Sequence, residues 1–265
     1  MRDLSSLKVA FLGFGNMAGA MADGFNRSGI LKPEALGAAS RRWEVLAEKT
    51  AARGMKAFHT NEEAAAWADV VIVAVKPYLV SDVVTPIKHI LREKIVLSVA
   101  VGKLFDDYEA VLAPGTAHLS LLPNTPVGIC EGISICENRH SLTDEDAACV
   151  KTLLGSLGLC VFVGEKEMSA AGTLAGCGPA FAAMFIEALA DGAVKHGVPR
   201  ALAYSLASQM LAGTAKLQLA TGAHPGAMKD AVCSPGGTTI IGVAALERQG
   251  FRSAVIGAID EIESR

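Results

Sequence analysis

The chain has 265 residues, 51% of them hydrophobic, and a formal net charge of −3 at pH 7. That length and apolar fraction suffice for a large core in one or two domains. No basic run exceeds Arg41-Arg42, so neither nucleic acid nor an anionic membrane is expected as a partner, because phosphate neutralisation needs many clustered cations. The opening residues Met1–Leu7 carry an acid and two serines where a signal peptide needs an apolar run. Gly, Pro or charged residues interrupt the apolar stretches before the ~18–20 residues that span a bilayer. A soluble, cytoplasmic protein is expected. The six cysteines, at 130, 136, 149, 160, 177 and 233, have neither CxxC spacing nor a histidine at zinc-ligand distance. They read as reduced thiols, mostly core filler, and no metal site is expected.

The first half alternates β-branched runs with helical stretches. Strands are expected at 8–12, 35–40, 56–59, 69–75, 94–101, 117–122 and 133–136, with helices at 16–28 and 43–53 and a short one carrying Glu62, Glu63 and Trp67. The run Asp69–Val75 (DVVIVAV) is uninterruptedly apolar, the pattern of a parallel strand covered on both faces. Such alternation predicts a doubly wound, mostly parallel α/β sheet with right-handed crossovers.

Beyond about residue 140 the character changes. A helix starts near Thr143, with Ser141 or Thr143 as N-cap, and residues 160–163 offer one edge strand. From Lys166 onward helices rich in small residues predominate, punctuated at Gly176–Pro179, Gly197–Pro199, Gly222–Pro225 and Ser234–Gly237. Residues 181–196 are apolar on most faces, and a helix of that kind must be buried. An all-α domain completed by a second subunit is therefore predicted, giving domains at 1–164 and 165–265.

The chemistry-bearing residues cluster at strand ends. Gly13-Phe14-Gly15-Asn16-Met17-Ala18 follows the first strand and opens a helix, which is the dinucleotide-binding G-x-G-x-x-A arrangement in its required context. Gly13 permits the turn, Gly15 lets the backbone approach a pyrophosphate, and Ala18 allows close helix–strand packing. Asn16, Met17 and Ala18 begin the helix on whose free N–H groups the phosphates would lie. The second strand ends Ser40-Arg41-Arg42, without the acid that would hold an NAD ribose. Ser40 and Arg41 suit a 2′-phosphate, so NADPH is expected, with NADH a weaker alternative. Val75-Lys76-Pro77 ends the fourth strand at the cofactor crevice. Pro77 begins the next helix, and Lys76 either orients cofactor or loop carbonyls or caps a helix. Pro123-Asn124-Thr125-Pro126 is a rigid loop expected to present the Asn124 amide and the Thr125 hydroxyl near the nicotinamide. In Ser234-Pro235-Gly236-Gly237-Thr238-Thr239, Ser234 is the expected N-cap and Pro235 the first helical residue. Open N–H groups and the two threonine hydroxyls would then receive a carboxylate. Gly178 and Pro179 are expected to repeat the device.

Taken together, these pieces resemble the Δ1-pyrroline-5-carboxylate reductase family over essentially the whole chain. They are GFGNMA (13–18), SR (40–41), AVKP (74–77), LPNTP (122–126), GCGPAF (176–181), FIEALADGAVKHGVPR (185–200) and DAVCSPGGTTIIGVAALE (230–247). The last is the most specific. The resemblance implies a Rossmann domain followed by an interlocking dimerisation domain, with dimers often gathered into rings of five dimers. It implies that Ser234, Gly236, Gly237, Thr238 and Thr239 hold the carboxylate and ring of a cyclic imine in a site shared between two chains. Ser120 stands where the family commonly has Arg, Cys177 where it has Ser, Phe181 where it has Tyr, and Cys233 where it has Thr or Ser.

The implied reaction is hydride transfer from NADPH to C5 of pyrroline-5-carboxylate, giving proline, with Thr239 hydrogen-bonded to the ring nitrogen. Two rivals remain. A β-hydroxyacid dehydrogenase would need a helical Lys followed four residues later by Asn, and no Asn follows Asn138. A non-catalytic NADPH sensor would have no use for the SPGGTT turn.

Overall fold

The computed structural model describes Leu4 and residues 6–265; the rest of the opening segment, on which the signal-peptide argument partly rested, lies outside the described residues. The first half alternates strand and helix as expected. In chain order come β1 (Val9–Leu12), α1 (Asn16–Ser28), β2 (Leu36–Ala39), α2 (Trp43–Ala51), β3 (Lys56–Phe58), α3 (Asn61–Trp67) and β4 (Val70–Val73). Short helices α4 (Val80–Val84) and α5 (Lys88–Leu91) lead to β5 (Ile95–Ser98), and α6 (Phe105–Glu109) leads to β6 (Ala117–Pro123). Then follow β7 (Gly132–Glu137), α7 (Asp144–Gly155) and β8 (Gly158–Val163).

The strands form one sheet ordered β3-β2-β1-β4-β5-β6-β7-β8. Every neighbouring pair is parallel except β6–β7. β1, β2, β4 and β5 are wholly buried along their lengths, as strands covered by helices on both faces must be. The chain reverses direction across the sheet between β1 and β4, the switch point where α/β sheets open a ligand crevice at the carboxyl ends of their strands. Thr143 is the N-cap of α7, its hydroxyl accepting from Asp146 N at 3.2 Å. Ser141 instead ties the segment before α7 to the start of β6, donating to Thr116 O and accepting from His118 N, both at 2.8 Å.

The remaining helices are α8 (Glu165–Lys195), α9 (Arg200–Thr221), α10 (Pro225–Ala231), α11 (Thr238–Arg248) and α12 (Phe251–Glu263). The chain separates into compact units Met1–Gly176 and Cys177–Arg265, a division that falls inside α8. The early part of α8 lies on the sheet: Met168 and Ala175 are buried in one cluster with Ile135.

Gly176–Pro179 does not punctuate this helix as expected, because α8 runs through it with Pro179 in its interior. A proline has no N–H to give the carbonyl four residues earlier, here that of Ala175. That carbonyl accepts from Asn124 Nδ2 at 3.0 Å instead, so the helix continues without a buried unpaired acceptor. Because it continues, α8 is long and apolar enough to cross a membrane by length and composition, although little of that stretch is buried in the single chain. The expectation that glycines and prolines keep every apolar stretch too short thus fails for this helix.

The second unit leaves much apolar surface uncovered. None of α10, α11 and α12 has a buried residue, and Leu206, Leu219, Ile241 and Ile256 are each more than half exposed.

Candidate functional site: a dinucleotide crevice and a threonine-bearing turn

The cofactor turn is built by the ends of three neighbouring strands. Gly13 N donates to Ala39 O at the end of β2, and Ala74 N donates to Leu12 O at the end of β1, each at 2.8 Å. Gly13 has φ +89°, and a Cβ there would lie 2.7 Å from both Ala74 O and Val75 Cγ1. Only glycine fits, for backbone conformation and for space. At Gly15, by contrast, a Cβ would meet nothing within 4 Å. The backbone there faces open space, as a bound diphosphate requires.

Gly15 caps α1 without any side-chain hydrogen bond. The first N–H groups of that helix, at Asn16, Met17 and Ala18, lack intrahelical acceptors by geometry and sit at its positive end. Ala18 is buried against the sheet. This uncapped helix start, the glycine-only turn and the open face at Gly15 fit a dinucleotide diphosphate.

Ser40 and Arg41 leave β2 on the same edge, and Arg41 is exposed. Among the described residues neither Arg41 nor Arg42 takes part in an ion pair. Both cations are available to an anion. Pro77 opens a 3-10 turn (Pro77–Leu79) with Lys76 as its N-cap residue, and the Lys76 side chain makes no capping bond.

The Asn124 amide, expected to be presented to the cofactor, is turned inward. Asn124 is 5% exposed. Its Nδ2 donates to Ala175 O, and its Oδ1 accepts from Ile133 N at 2.8 Å. The loop therefore carries a buried amide that joins β7 and α8, and Thr125 is its exposed polar side chain. Ser120, three residues before Pro123, is 2% exposed and its Oγ has no partner among the described residues.

The Ser234–Thr239 segment differs from expectation in where its helix starts. Gly237 N donates to Ser234 O at 3.0 Å, Gly236 has φ +69°, and α11 begins at Thr238 with Gly237 as N-cap. Ser234-Pro235-Gly236-Gly237 is thus a β-turn with Pro second and left-handed Gly third, the type II requirement, and Ser234 does not cap the helix. The consequence for chemistry is small. The uncapped N–H groups at Thr238 and Thr239 open the helix, and both threonines are exposed.

A Rossmann sheet of this strand order, with a glycine turn and unpaired arginines at its carboxyl edge, defines a dinucleotide-binding protein of the kind that nicotinamide oxidoreductases use. Residues 8–102 match the family model described as "NADP oxidoreductase coenzyme F420-dependent", and residues 165–265 match "Pyrroline-5-carboxylate reductase dimerisation". The chain is 40% identical to the pyrroline-5-carboxylate reductase of Treponema pallidum over 96% of its own length and 97% of the relative's. It is also 40% identical to the Arabidopsis thaliana enzyme, with 96% and 92% covered. The solved Plasmodium falciparum pyrroline carboxylate reductase with NADP bound superimposes with a TM-score of 0.88 at 29% identity, covering 98% of this chain and 97% of that one. The chain belongs to the pyrroline-5-carboxylate reductase family, and residues 165–265 match that family's dimerisation model.

Proposed function

We infer that this chain reduces 1-pyrroline-5-carboxylate to L-proline with NADPH. The carrying observation is the pairing, in one chain 40% identical to such a reductase, of an intact dinucleotide turn with an intact SPGGTT turn. When bound, NADPH supplies a hydride to C5 of the imine. Gly13, Gly15, Asn16, Met17 and Ala18 hold its diphosphate, Ser40 and Arg41 its 2′-phosphate, and Val75, Lys76, Pro77 and the Asn124 loop line the crevice.

Ser234, Gly236, Gly237 and Thr238 receive the substrate carboxylate at the start of α11, where unpaired N–H groups and the helix dipole favour an anion. Thr239 hydrogen-bonds the ring nitrogen, directly or through water, and holds the ring in place while the nitrogen's charge changes. No strong acid is needed, because the protonated imine is itself the hydride acceptor. SPGGTT contains no His, Asp or Glu, as such a reaction allows.

The chain works as a cytoplasmic homodimer and binds neither nucleic acid nor membrane. The uncovered apolar faces of α9 to α12 support the dimer. Formation of proline from pyrroline-5-carboxylate, one for one with NADPH consumed, tests the activity; absence of proline would refute it.

A further inference from the structure

β2 and β3 are parallel, and their last paired residues are Ala39 and Phe58. The next residue of each strand, Ser40 and His59, therefore leaves the sheet side by side at the carboxyl edge. The His59 ring lies flat on Trp43, centroids 3.5 Å apart and planes 19° from parallel. Its backbone is held as well: His59 N donates to Glu63 Oε2 at 2.9 Å, within the capping box that starts α3.

Trp43 packs partly into the core, whereas His59 is exposed. The imidazole thus adds nothing to the core, and neither of its ring nitrogens has a hydrogen-bond partner among the described residues. A neutral imidazole always carries one N–H donor, whichever tautomer it adopts. In α3, Glu63 Oε2 is taken up by the backbone N–H groups of His59 and Thr60.

We propose that His59, held in place on Trp43, is a third side chain that reads the 2′-phosphate of NADP(H), beside Ser40 and Arg41. The proposal rests on the NADPH reading above and adds a residue outside the G-x-G-x-x-A and Ser-Arg motifs. Stacking fixes the ring before the phosphate arrives, so little side-chain freedom is lost on binding.

Calorimetric titration of the purified enzyme with NADP+ and with NAD+ tests it apart from turnover. His59→Ala should raise the Kd for NADP+ about tenfold, the low end for a hydrogen bond to a charged group, and change the Kd for NAD+ little. His59→Gln, which keeps an N–H donor, should lose less. Trp43→Leu should lower the NADP+ preference in the same direction as His59→Ala. Equal weakening of both cofactors would reduce the stack to a support for α2 and overturn the proposal, as would an unchanged NADP+/NAD+ ratio in His59→Ala. A wild-type enzyme with no preference for NADP+ would overturn the NADPH reading and this proposal with it. A wild type that prefers NADP+, with His59→Ala preferring it equally, would overturn this proposal alone.

Discussion

Asn124 Nδ2 donates to Ala175 O at 3.0 Å, and Ala175 is the residue whose carbonyl Pro179 leaves without its helical N–H. One buried amide thereby lets α8 keep a proline in its interior and ties the loop after β6 to that helix. Asn124→Ala leaves both Ala175 O and the half-buried Ile133 N without this partner, at about 1–3 kcal/mol for the buried carbonyl and less for the N–H. Pro179→Ala returns an N–H to the first of these. Asn124→Ala should therefore cost about 1 kcal/mol less in a Pro179→Ala background than in the wild type. Denaturant unfolding of the four proteins checks this. Strict additivity would show that the amide does not stand in for the missing N–H.

Two glycines of the cofactor turn should fail in different ways. Gly13→Ala puts a Cβ 2.7 Å from Ala74 O at φ +89°. The backbone conformation alone costs about 1–2 kcal/mol, so its melting temperature should drop. Gly15→Ala meets nothing within 4 Å and should melt normally while binding NADP+ poorly. Thermal melts with and without NADP+ separate the two.

Arg41→Ala should raise KM for NADPH by roughly tenfold or more, one charge-assisted contact, and change KM for NADH little. Parallel kinetics with both cofactors provide the check. Equal effects on both would remove Arg41 from 2′-phosphate recognition.

Thr239→Ala should lower kcat more than it raises KM, by roughly ten- to a hundredfold, because the backbone N–H groups still hold the carboxylate. Thr239→Ser keeps the hydroxyl and should retain most activity. NADP+ affinity should not change in either variant. A normal kcat in Thr239→Ala would shift the role to water or to Thr238.

The chain should sediment as a dimer or a multiple of dimers at micromolar concentration. Three consecutive helices with no buried residue cannot remain in water as they stand. A stable, active monomer in analytical ultracentrifugation would contradict this.

The sheet was legible in the sequence because buried parallel strands are short apolar runs, and the cofactor turn because it falls between such a run and a helix. What escaped depended on tertiary partners or on competing local signals. Gly176–Pro179 carries the usual marks of a helix boundary, and nothing nearby in the chain reveals that Asn124, 51 positions before Ala175, supplies the missing donor. Ser234-Pro235 reads equally as an N-cap with Pro at the first helical position. The Pro235-Gly236 pair is also the type II turn signature, and the left-handed Gly236 decides for the turn. His59 carries no motif at all; it becomes a candidate only through the β2–β3 register and its stack on Trp43.

The central claim is hydride transfer to a cyclic imine, and loss of NADPH absorbance on adding pyrroline-5-carboxylate measures it most directly. The account predicts turnover that saturates with the imine, runs much faster with NADPH than with NADH, and yields proline in proportion. NADPH that binds tightly yet is not consumed would leave a sensor, and NADP+ reduction by a β-hydroxyacid without imine turnover would leave a dehydrogenase; either result contradicts the account.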